Sequence, residues 1–306
     1  MSMDHPDILP VTPEPVYCSN RSGRHSKVAG GPHSSSFASF DSWSTNVSRI
    51  RQSAAQYWPL DISRKIADNF ESCHWAVPHS NPVPLVISLS DPVVASVELI
   101  DTGERFVDPG DTGDLVLVDR TRSVVSNPSR HFLKVRVGVA ERLMFAAQRL
   151  SIQGLRLLVK EGYRPLSLQR SYFDRRLSAL RMQYPSASDA LLIELTSRYA
   201  APPEVAAHPT GAAVDLTLAT QEGVELNMGS VLNATDEESS GACYTACQLI
   251  SRQAQANRQL LATAMIAAGF VNYPSEWWHW SYGDRYWAVI SDEPCAIYGP
   301  VEEERL

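Results

Sequence analysis

Two short segments constrain this chain most, because each places histidine and carboxylate side chains at a fixed spacing. The first contains His208 and, seven residues later, Asp215; the second contains Glu276 and, three residues later, His279. Two imidazoles and a carboxylate can hold a metal ion and leave one coordination position for water. A further carboxylate beside such a site can accept a proton from that water. The four residues therefore predict a mononuclear metal centre with a general base.

The first segment has the local signals of a loop followed by a strand. Pro209 and Gly211 interrupt any helix, and small or polar residues alternate with apolar ones over residues 213–218. The alternation predicts a strand that carries Asp215 on its polar face. His208 then lies in the loop that enters this strand.

The second segment is less determined by its sequence. Glu276 and His279 would share one face of a helix, but the tryptophans between them favour a strand, where the two side chains point in opposite directions unless the strand twists or bulges. Spacing alone also leaves a structural interpretation open, because a histidine near an apolar run is commonly a hydrogen-bonded core residue.

Five sequence blocks extend this pattern in a fixed order: Gly-Tyr-Arg-Pro at 162–165, Ala-x-His-x-x-Gly-x-Ala-x-Asp at 206–215, Met-Gly-Ser-x-Leu-Asn at 228–233, Asn-Arg at 257–258 and Glu-Trp-Trp-His at 276–279. In order and content they resemble the D-alanyl-D-alanine dipeptidases, the VanX-type zinc enzymes related to the D,D-carboxypeptidases of peptidoglycan metabolism. The resemblance covers roughly residues 80–290.

The resemblance implies a role for each residue of the site. His208, Asp215 and His279 would bind one zinc ion per chain, and Glu276 would activate water as the general base. Arg164 would polarise the scissile carbonyl and stabilise the oxyanion. The implied activity is zinc-dependent hydrolysis of a dipeptide or small amide. A metal-stabilised binding module without catalysis is disfavoured, because Glu276 is present.

Two positions depart from the family pattern. A serine and an aspartate that help to hold the substrate's free ammonium group are replaced by Ala206 and Asn233. Losing a charge-assisted hydrogen bond costs about 1.5 to 3 kcal/mol, which weakens recognition of the amine roughly ten- to a hundredfold. Another acid, such as Glu204, is an alternative source of the missing charge. Tyr199 matches a substrate-binding tyrosine of the family if two residues are inserted near Pro202.

These departures support an alternative function. On the same scaffold, a biosynthetic tailoring enzyme would act on an amide-containing metabolite that lacks a free ammonium group. The metal ligands and the base would be kept, while the substrate would have changed.

Composition limits the other possibilities. With 306 residues and 44% hydrophobic content, the chain can form one large domain with an extension. Its 27 basic and 34 acidic residues give a net charge of −7, and without a basic stripe nucleic acid is not an expected partner. The start lacks a signal-peptide pattern, and no apolar run approaches the roughly 18 residues that span a bilayer. We therefore expect no membrane association and a cytoplasmic location.

Three regions differ in character along the chain. Residues 1–40 are rich in proline, glycine and serine and predict a disordered tail. Residues 41–80 have enough apolar side chains for one or two short helices, an extension that packs on the catalytic domain or forms a homodimer contact. Residues 81–306 are the predicted catalytic domain.

The catalytic domain mixes strand and helix patterns in irregular order, which predicts an α+β fold with a mainly antiparallel central sheet flanked by helices. The resemblance implies the same fold. Strands are predicted at 85–89, 93–100, 115–118, 155–159 and 285–290, the last as partner of the tryptophan-rich segment. Helices are predicted at 139–153, 167–182, 187–199 and 242–268.

Overall fold

The structure is a computed structural model that describes residues 16–19, 25–28, 87–122 and 125–306. The predicted extension at 41–80, with its homodimer contact, lies outside the described residues and stays a prediction. So do the first two residues of the strand predicted at 85–89; the described remainder is not a strand.

The chain divides into two compact units, Met1–Pro59 and Leu60–Leu306. In the first unit, β1 (Val16–Ser19) pairs antiparallel with β2 (His25–Val28). Both strands fall within the segment predicted as a tail, whose other residues lie outside the described ranges.

The second unit contains short strands, two longer strands and helices of varied length. The strands are β3 (Glu98–Leu99), β4 (Phe106–Val107), β5 (Val116–Val118), β6 (Val135–Arg136), β7 (Leu155–Glu161), β8 (Ala213–Thr220), β9 (Val271–Asn272), β10 (His279–Ser281) and β11 (Cys295–Ala296). The helices are α1 (Pro92–Ala95), α2 (Val137–Ser151), α3 (Leu166–Gln183), α4 (Asp189–Ser197), α5 (Asp236–Ser239), α6 (Arg252–Ala267) and α7 (Arg285–Ile290).

A five-stranded sheet with the order β5-β7-β8-β10-β9 forms the centre of this unit. β5 runs parallel to β7, and every other pair in the sheet is antiparallel. β8 is the middle strand and is buried along nearly all of its length. The prediction of a mainly antiparallel central sheet is confirmed.

Helices flank this sheet, as the sequence predicts. α2 contacts both β7 and α6. Its buried residues recur at helical spacing, which is why this segment forms an amphipathic helix: Val139, Ala140, Leu143, Ala146, Ala147 and Leu150. α3 packs on α4 through a smaller apolar cluster of Leu180, Leu192 and Leu195. No helix of the described residues is long and apolar enough to cross a membrane.

The strand predicted at residues 285–290 is wrong, because these residues form α7. Asp284 starts the helix: its Oδ1 accepts a hydrogen bond from the backbone N–H of Trp287 at 3.1 Å. The aromatic and β-branched composition of this segment favours a strand. Burial of Tyr286 and Trp287 in the helical arrangement overrides that propensity.

Two further boundaries differ from the sequence prediction. The helix predicted from residue 242 begins only at Arg252, where the Ser251 side chain accepts from the Ala254 N–H at 3.2 Å; residues 242–251 form turns and irregular backbone. In place of a strand from residue 93, the chain forms α1 and then β3. Proline at the first position of α1 suits a helix start.

Arg258 of α6 ties together two irregular segments that precede this helix in the chain. Its guanidinium donates to the backbone carbonyls of Met228 at 2.6 Å, Ala242 at 2.6 Å and Tyr244 at 2.7 Å. It also lies over the Trp277 ring at 5.5 Å. Burial lowers the pKa of Arg258 to about 10. The irregular backbone of these segments is therefore held by one buried cation.

Replacing Arg258 with methionine is expected to lower the free energy of unfolding by about 2 to 4 kcal/mol, since charge-assisted hydrogen bonds contribute about 1.5 to 3 kcal/mol each and buried carbonyls lose their donor. Chemical denaturation of both proteins measures the change. The exposed Arg252 at the start of the same helix is the control, and Arg252→Met should change stability by less than about 0.5 kcal/mol. Equal effects of the two substitutions would contradict this role of Arg258.

Candidate active site

The register of the central sheet brings three polar residues into one row. His279 on β10 is paired with Asp215 on β8, and Asp215 is paired with Glu161 on β7. Residues paired directly across neighbouring strands project their side chains to the same face. The polar row therefore follows from strand pairing between segments far apart in sequence.

A β-bulge decides which residue of β7 joins this row. The β7–β8 register shifts between Val159 and Glu161, so that Lys160 is an extra residue on β7. Without the shift, Lys160 would lie opposite Asp215. Instead its ammonium group forms ion pairs with Asp119, at 2.8 Å, and with Glu225. The bulge thus places a carboxylate, and not an ammonium group, beside Asp215.

His208 reaches the site from a 3₁₀ turn that precedes β8. Gly211 ends this turn with a φ of 71°, and a Cβ at that position would lie 2.3 Å from the ring of Phe106, so both backbone and space require glycine. The Nδ1 atom of His208 is hydrogen-bonded to the Gly162 carbonyl at 2.6 Å. With Nδ1–H as the donor, Nε2 carries a lone pair and lies 3.4 Å from Asp215 Oδ2.

His208, Asp215 and His279 form a compact donor set. One nitrogen or oxygen from each lies within 4.8 Å of the others, and His279 Nδ1 is 3.0 Å from Asp215 Oδ1. Burial raises the pKa of Asp215, but the two histidines oppose this and hold the pKa well below its ordinary value. Two imidazoles and an ionised carboxylate at this spacing fit a divalent cation such as zinc.

Glu276 lies beside this set and not in it. Its backbone N–H bonds to the Tyr273 carbonyl and its carbonyl accepts from the His279 N–H, so the tryptophan-rich segment is a turn that leads into β10. The turn brings Glu276 Oε2 to 3.9 Å from His279 Nδ1. Burial and the Asp215 carboxylate raise the pKa of Glu276 well above its usual value, while Arg164 opposes the rise.

Arg164 follows β7 and is held by neighbours that the sequence does not reveal. Its Nε and one terminal nitrogen donate to both oxygens of Glu161, at 3.0 and 2.7 Å, and the other terminal nitrogen donates to Gln169 at 2.8 Å. Asn127 also donates to Glu161, at 2.8 Å. The guanidinium also lies 3.9 Å from Asp215 Oδ2. The sequence gives no clear signal for Glu161, because β7 carries two other charged residues, Arg156 and Lys160.

Replacing Glu161 with glutamine is expected to lower kcat for the reaction proposed below by about a hundredfold, because the bidentate partner of Arg164 is lost and a displacement near 1 Å can cost that much. Zinc content should not change. Steady-state kinetics and metal analysis of the purified variant measure both quantities. Glu141→Gln, at an exposed position of α2, is the control. An unchanged kcat would show that Glu161 does not position Arg164.

Every site residue predicted from the sequence lines one cavity of about 40 Å³. Its lining includes the donor set, Glu276 and Arg164, together with Tyr199, Ala206 and Asn233. Sequence reasoning missed Gln169 and Asp284, which also line it. Glu204, considered as a source of charge, is exposed and does not belong to the lining.

Buried histidine and carboxylate donors beside a separate carboxylate are typical of mononuclear metallohydrolases. A family model described as D-ala-D-ala dipeptidase matches residues 121–295, more than half of the chain. The chain therefore belongs to the D-Ala-D-Ala dipeptidase family of peptidases, as its five sequence blocks predict.

Two curated relatives and one solved structure are similar to this chain. A D-alanyl-D-alanine dipeptidase of Synechocystis sp. is 29% identical over 197 residues, which cover 55% of this chain and 79% of the relative. One of Enterococcus faecium is 31% identical over 163 residues, 51% of this chain and 72% of the relative. A solved structure of a mutant of the vancomycin resistance D,D-pentapeptidase VanY in complex with Zn(II) is 15% identical, with a TM-score of 0.32 over 56% of this chain and 84% of that chain.

Proposed function

We propose that this protein is a zinc-dependent dipeptidase that hydrolyses D-Ala-D-Ala or a closely similar small dipeptide. The observation that carries the proposal is the single cavity in which the histidine and aspartate donors, Glu276 and Arg164 meet, in a chain of this family. Two curated relatives are named D-alanyl-D-alanine dipeptidases.

His208, Asp215 and His279 would hold one zinc ion. When bound, zinc supplies a Lewis acid that polarises a carbonyl and makes water more acidic. The hydrogen bond from His208 Nδ1 to the Gly162 carbonyl fixes the ring and leaves Nε2 as the atom that would bind the ion. The Asp215 carboxylate, kept ionised by the histidines, supplies the negative charge of the ligand set.

Glu276 would serve as general base and then as general acid. Its carboxylate accepts a proton from the attacking water and returns it to the leaving amine nitrogen as the C–N bond breaks. Burial and the neighbouring Asp215 make Glu276 a stronger base than an exposed glutamate, which favours the first transfer. Glu276 Oε2 lies 3.9 Å from His279 Nδ1, so this carboxylate lies directly beside the donor set.

Arg164 would stabilise the negative charge that develops on the carbonyl oxygen. Glu161 and Gln169 occupy three of its N–H groups, and an arginine has five donors, so two remain for a substrate oxygen. These partners also hold the side chain rigidly, so that the donors need not reorganise during the reaction.

Release of free amino acid by the zinc-loaded protein tests the proposal. D-Ala-D-Ala, L-Ala-L-Ala and N-acetyl-D-Ala-D-Ala are the substrates, and the Glu276→Ala variant is the blank. We expect turnover of D-Ala-D-Ala that is lost after chelation and regained with zinc. A zinc-loaded, folded protein that cleaves none of these dipeptides would contradict the proposal.

The tailoring-enzyme alternative rests on Ala206 and Asn233. Both residues line the cavity, but their presence there does not favour an amide without an ammonium group over a dipeptide. Turnover of N-acetyl-D-Ala-D-Ala without turnover of the free dipeptide would favour the alternative.

A further inference from the structure

A second depression adjoins the cavity that holds the metal donors. It is an open groove of about 510 Å³, compared with about 40 Å³ for the cavity. Its lining comes from residues 229–234 and from Glu238, Ser239 and Ala242. Of these residues, only Asn233 also lines the cavity. The groove and the cavity therefore meet at Asn233.

Asn233 marks the place where the cavity opens. It is exposed, whereas every other residue in the described lining of the cavity is buried or half-buried. A ligand of the cavity therefore enters past Asn233, and a part of it that extends beyond the cavity lies in the groove. A concave space beside the mouth of an active site is where the remainder of a longer substrate can bind.

The walls of the groove are fastened to the turn that carries the proposed general base. The indole N–H of Trp277, the residue after Glu276, donates to the Ser230 hydroxyl at 2.9 Å. The backbone N–H of Trp277 donates to the carbonyl of Cys243, next to Ala242, at 3.0 Å. Both wall segments thus have a fixed position relative to Glu276, and a substrate held in the groove is positioned for the reaction.

Opposite charges lie at the two ends of this path. The cavity contains the Arg164 guanidinium and the donors that would hold zinc, whereas the groove contains the Glu238 carboxylate. The terminal carboxylate of a peptide is attracted by the cations and repelled by Glu238. The carboxyl end of a peptide therefore stays in the cavity, and its amino side extends into the groove.

The groove lining combines apolar surface with this one acid. Val231 has an aliphatic side chain that is 72% exposed, and Gly229, Ala234 and Ala242 are small. Glu238 is the only charged residue in the described lining. Such a lining fits a neutral or basic amino-acid residue and repels an acidic one.

We propose that the groove binds the residue that precedes the hydrolysed pair in a longer peptide, so that the protein also hydrolyses tripeptides that end in D-Ala-D-Ala. Water adds across the C–N bond between the two D-alanine residues: its oxygen goes to the carbonyl carbon and a proton goes to the leaving nitrogen. Free D-alanine and a shortened peptide are released. This substrate class rests on the proposed function and deepens it.

Hydrolysis of Gly-D-Ala-D-Ala by the zinc-loaded protein, compared with D-Ala-D-Ala, is the first test. We expect kcat/KM for the tripeptide to equal or exceed that for the dipeptide, and the products to be D-alanine and Gly-D-Ala. Turnover of the dipeptide without turnover of the tripeptide would overturn the inference and leave the proposed function standing. Release of glycine in place of D-alanine would also overturn it, because the extension would then lie on the carboxyl side of the cleaved bond. A folded, zinc-loaded protein that hydrolyses neither peptide would overturn both.

The charge of Glu238 allows a second test that is specific to the groove. We expect kcat/KM for L-Arg-D-Ala-D-Ala to exceed that for L-Glu-D-Ala-D-Ala by about three- to tenfold, the range of an exposed charge pair. Glu238→Gln should abolish this preference with zinc content unchanged. Glutamine can keep the capping box, in which Glu238 accepts from the Thr235 N–H at 3.0 Å.

Glu141→Gln, the same change at an exposed position of α2, is the control and should keep the preference. A preference for the arginine tripeptide that persists in Glu238→Gln would overturn the placement of the extension in this groove. Equal kcat/KM values for the two tripeptides in the parent would do the same.

Discussion

Replacing Glu276 with glutamine is expected to lower kcat for dipeptide hydrolysis by about a hundred- to ten-thousandfold, the range that general acid–base groups contribute. Glutamine fills the same space but can neither accept the proton of the attacking water nor return it to the leaving nitrogen. Because the side chain lies beside the donor set and not in it, zinc should stay bound. Initial rates, together with zinc analysis of the same sample, measure the effect.

Glu204→Gln is the matched control for this prediction, since it makes the same chemical change at an exposed position outside the cavity. Its kcat should equal that of the parent within a factor of about two. Full kcat in the Glu276→Gln variant would show that Glu276 is not the general base, even if the protein still binds zinc.

The His208→Ala variant is expected to lose zinc and, with it, measurable turnover. Removing one of three donors is more severe than altering an outer hydrogen bond, which already costs ten- to a hundredfold in metal affinity by typical measurements. His208 is also held in position, because its Nδ1 is hydrogen-bonded to the carbonyl of Gly162, just past the end of β7. Competition with a chromophoric chelator gives the zinc affinity, and initial rates give the loss of kcat/KM.

His131 provides the comparison for this second variant. It is buried to a similar degree but lies outside the cavity, where it is hydrogen-bonded to Arg130. His131→Ala should keep the zinc affinity of the parent, whatever its effect on stability. A His208→Ala protein that binds zinc as tightly as this control would overturn the assignment of His208 as a ligand.

Much of the site could be predicted from the sequence, because its residues belong to blocks with short internal spacing. The interval from His208 to Asp215 fits a loop followed by a strand, and the cavity contains both residues, as predicted. Helix α2 and strand β7 can also be predicted from the sequence, since their apolar patterns extend over several helical turns or several strand residues. Family membership follows from the same blocks.

Other features of the site were decided by tertiary structure. The bulge at Lys160 changes which side chain lies beside Asp215, yet no local sequence signal announces a one-residue shift in register. Arg285–Ile290 reads as a strand by composition, but burial of its aromatic side chains forms α7 and turns Asp284 towards the cavity. Local propensities extend over a few residues, whereas strand register and buried polar partners depend on segments tens of residues apart, such as Asn127 and Glu161, separated by 34, and Asp215 and His279, separated by 64. The sequence by itself therefore determined the reactive groups, and only the packing of the chain decided what holds them in place.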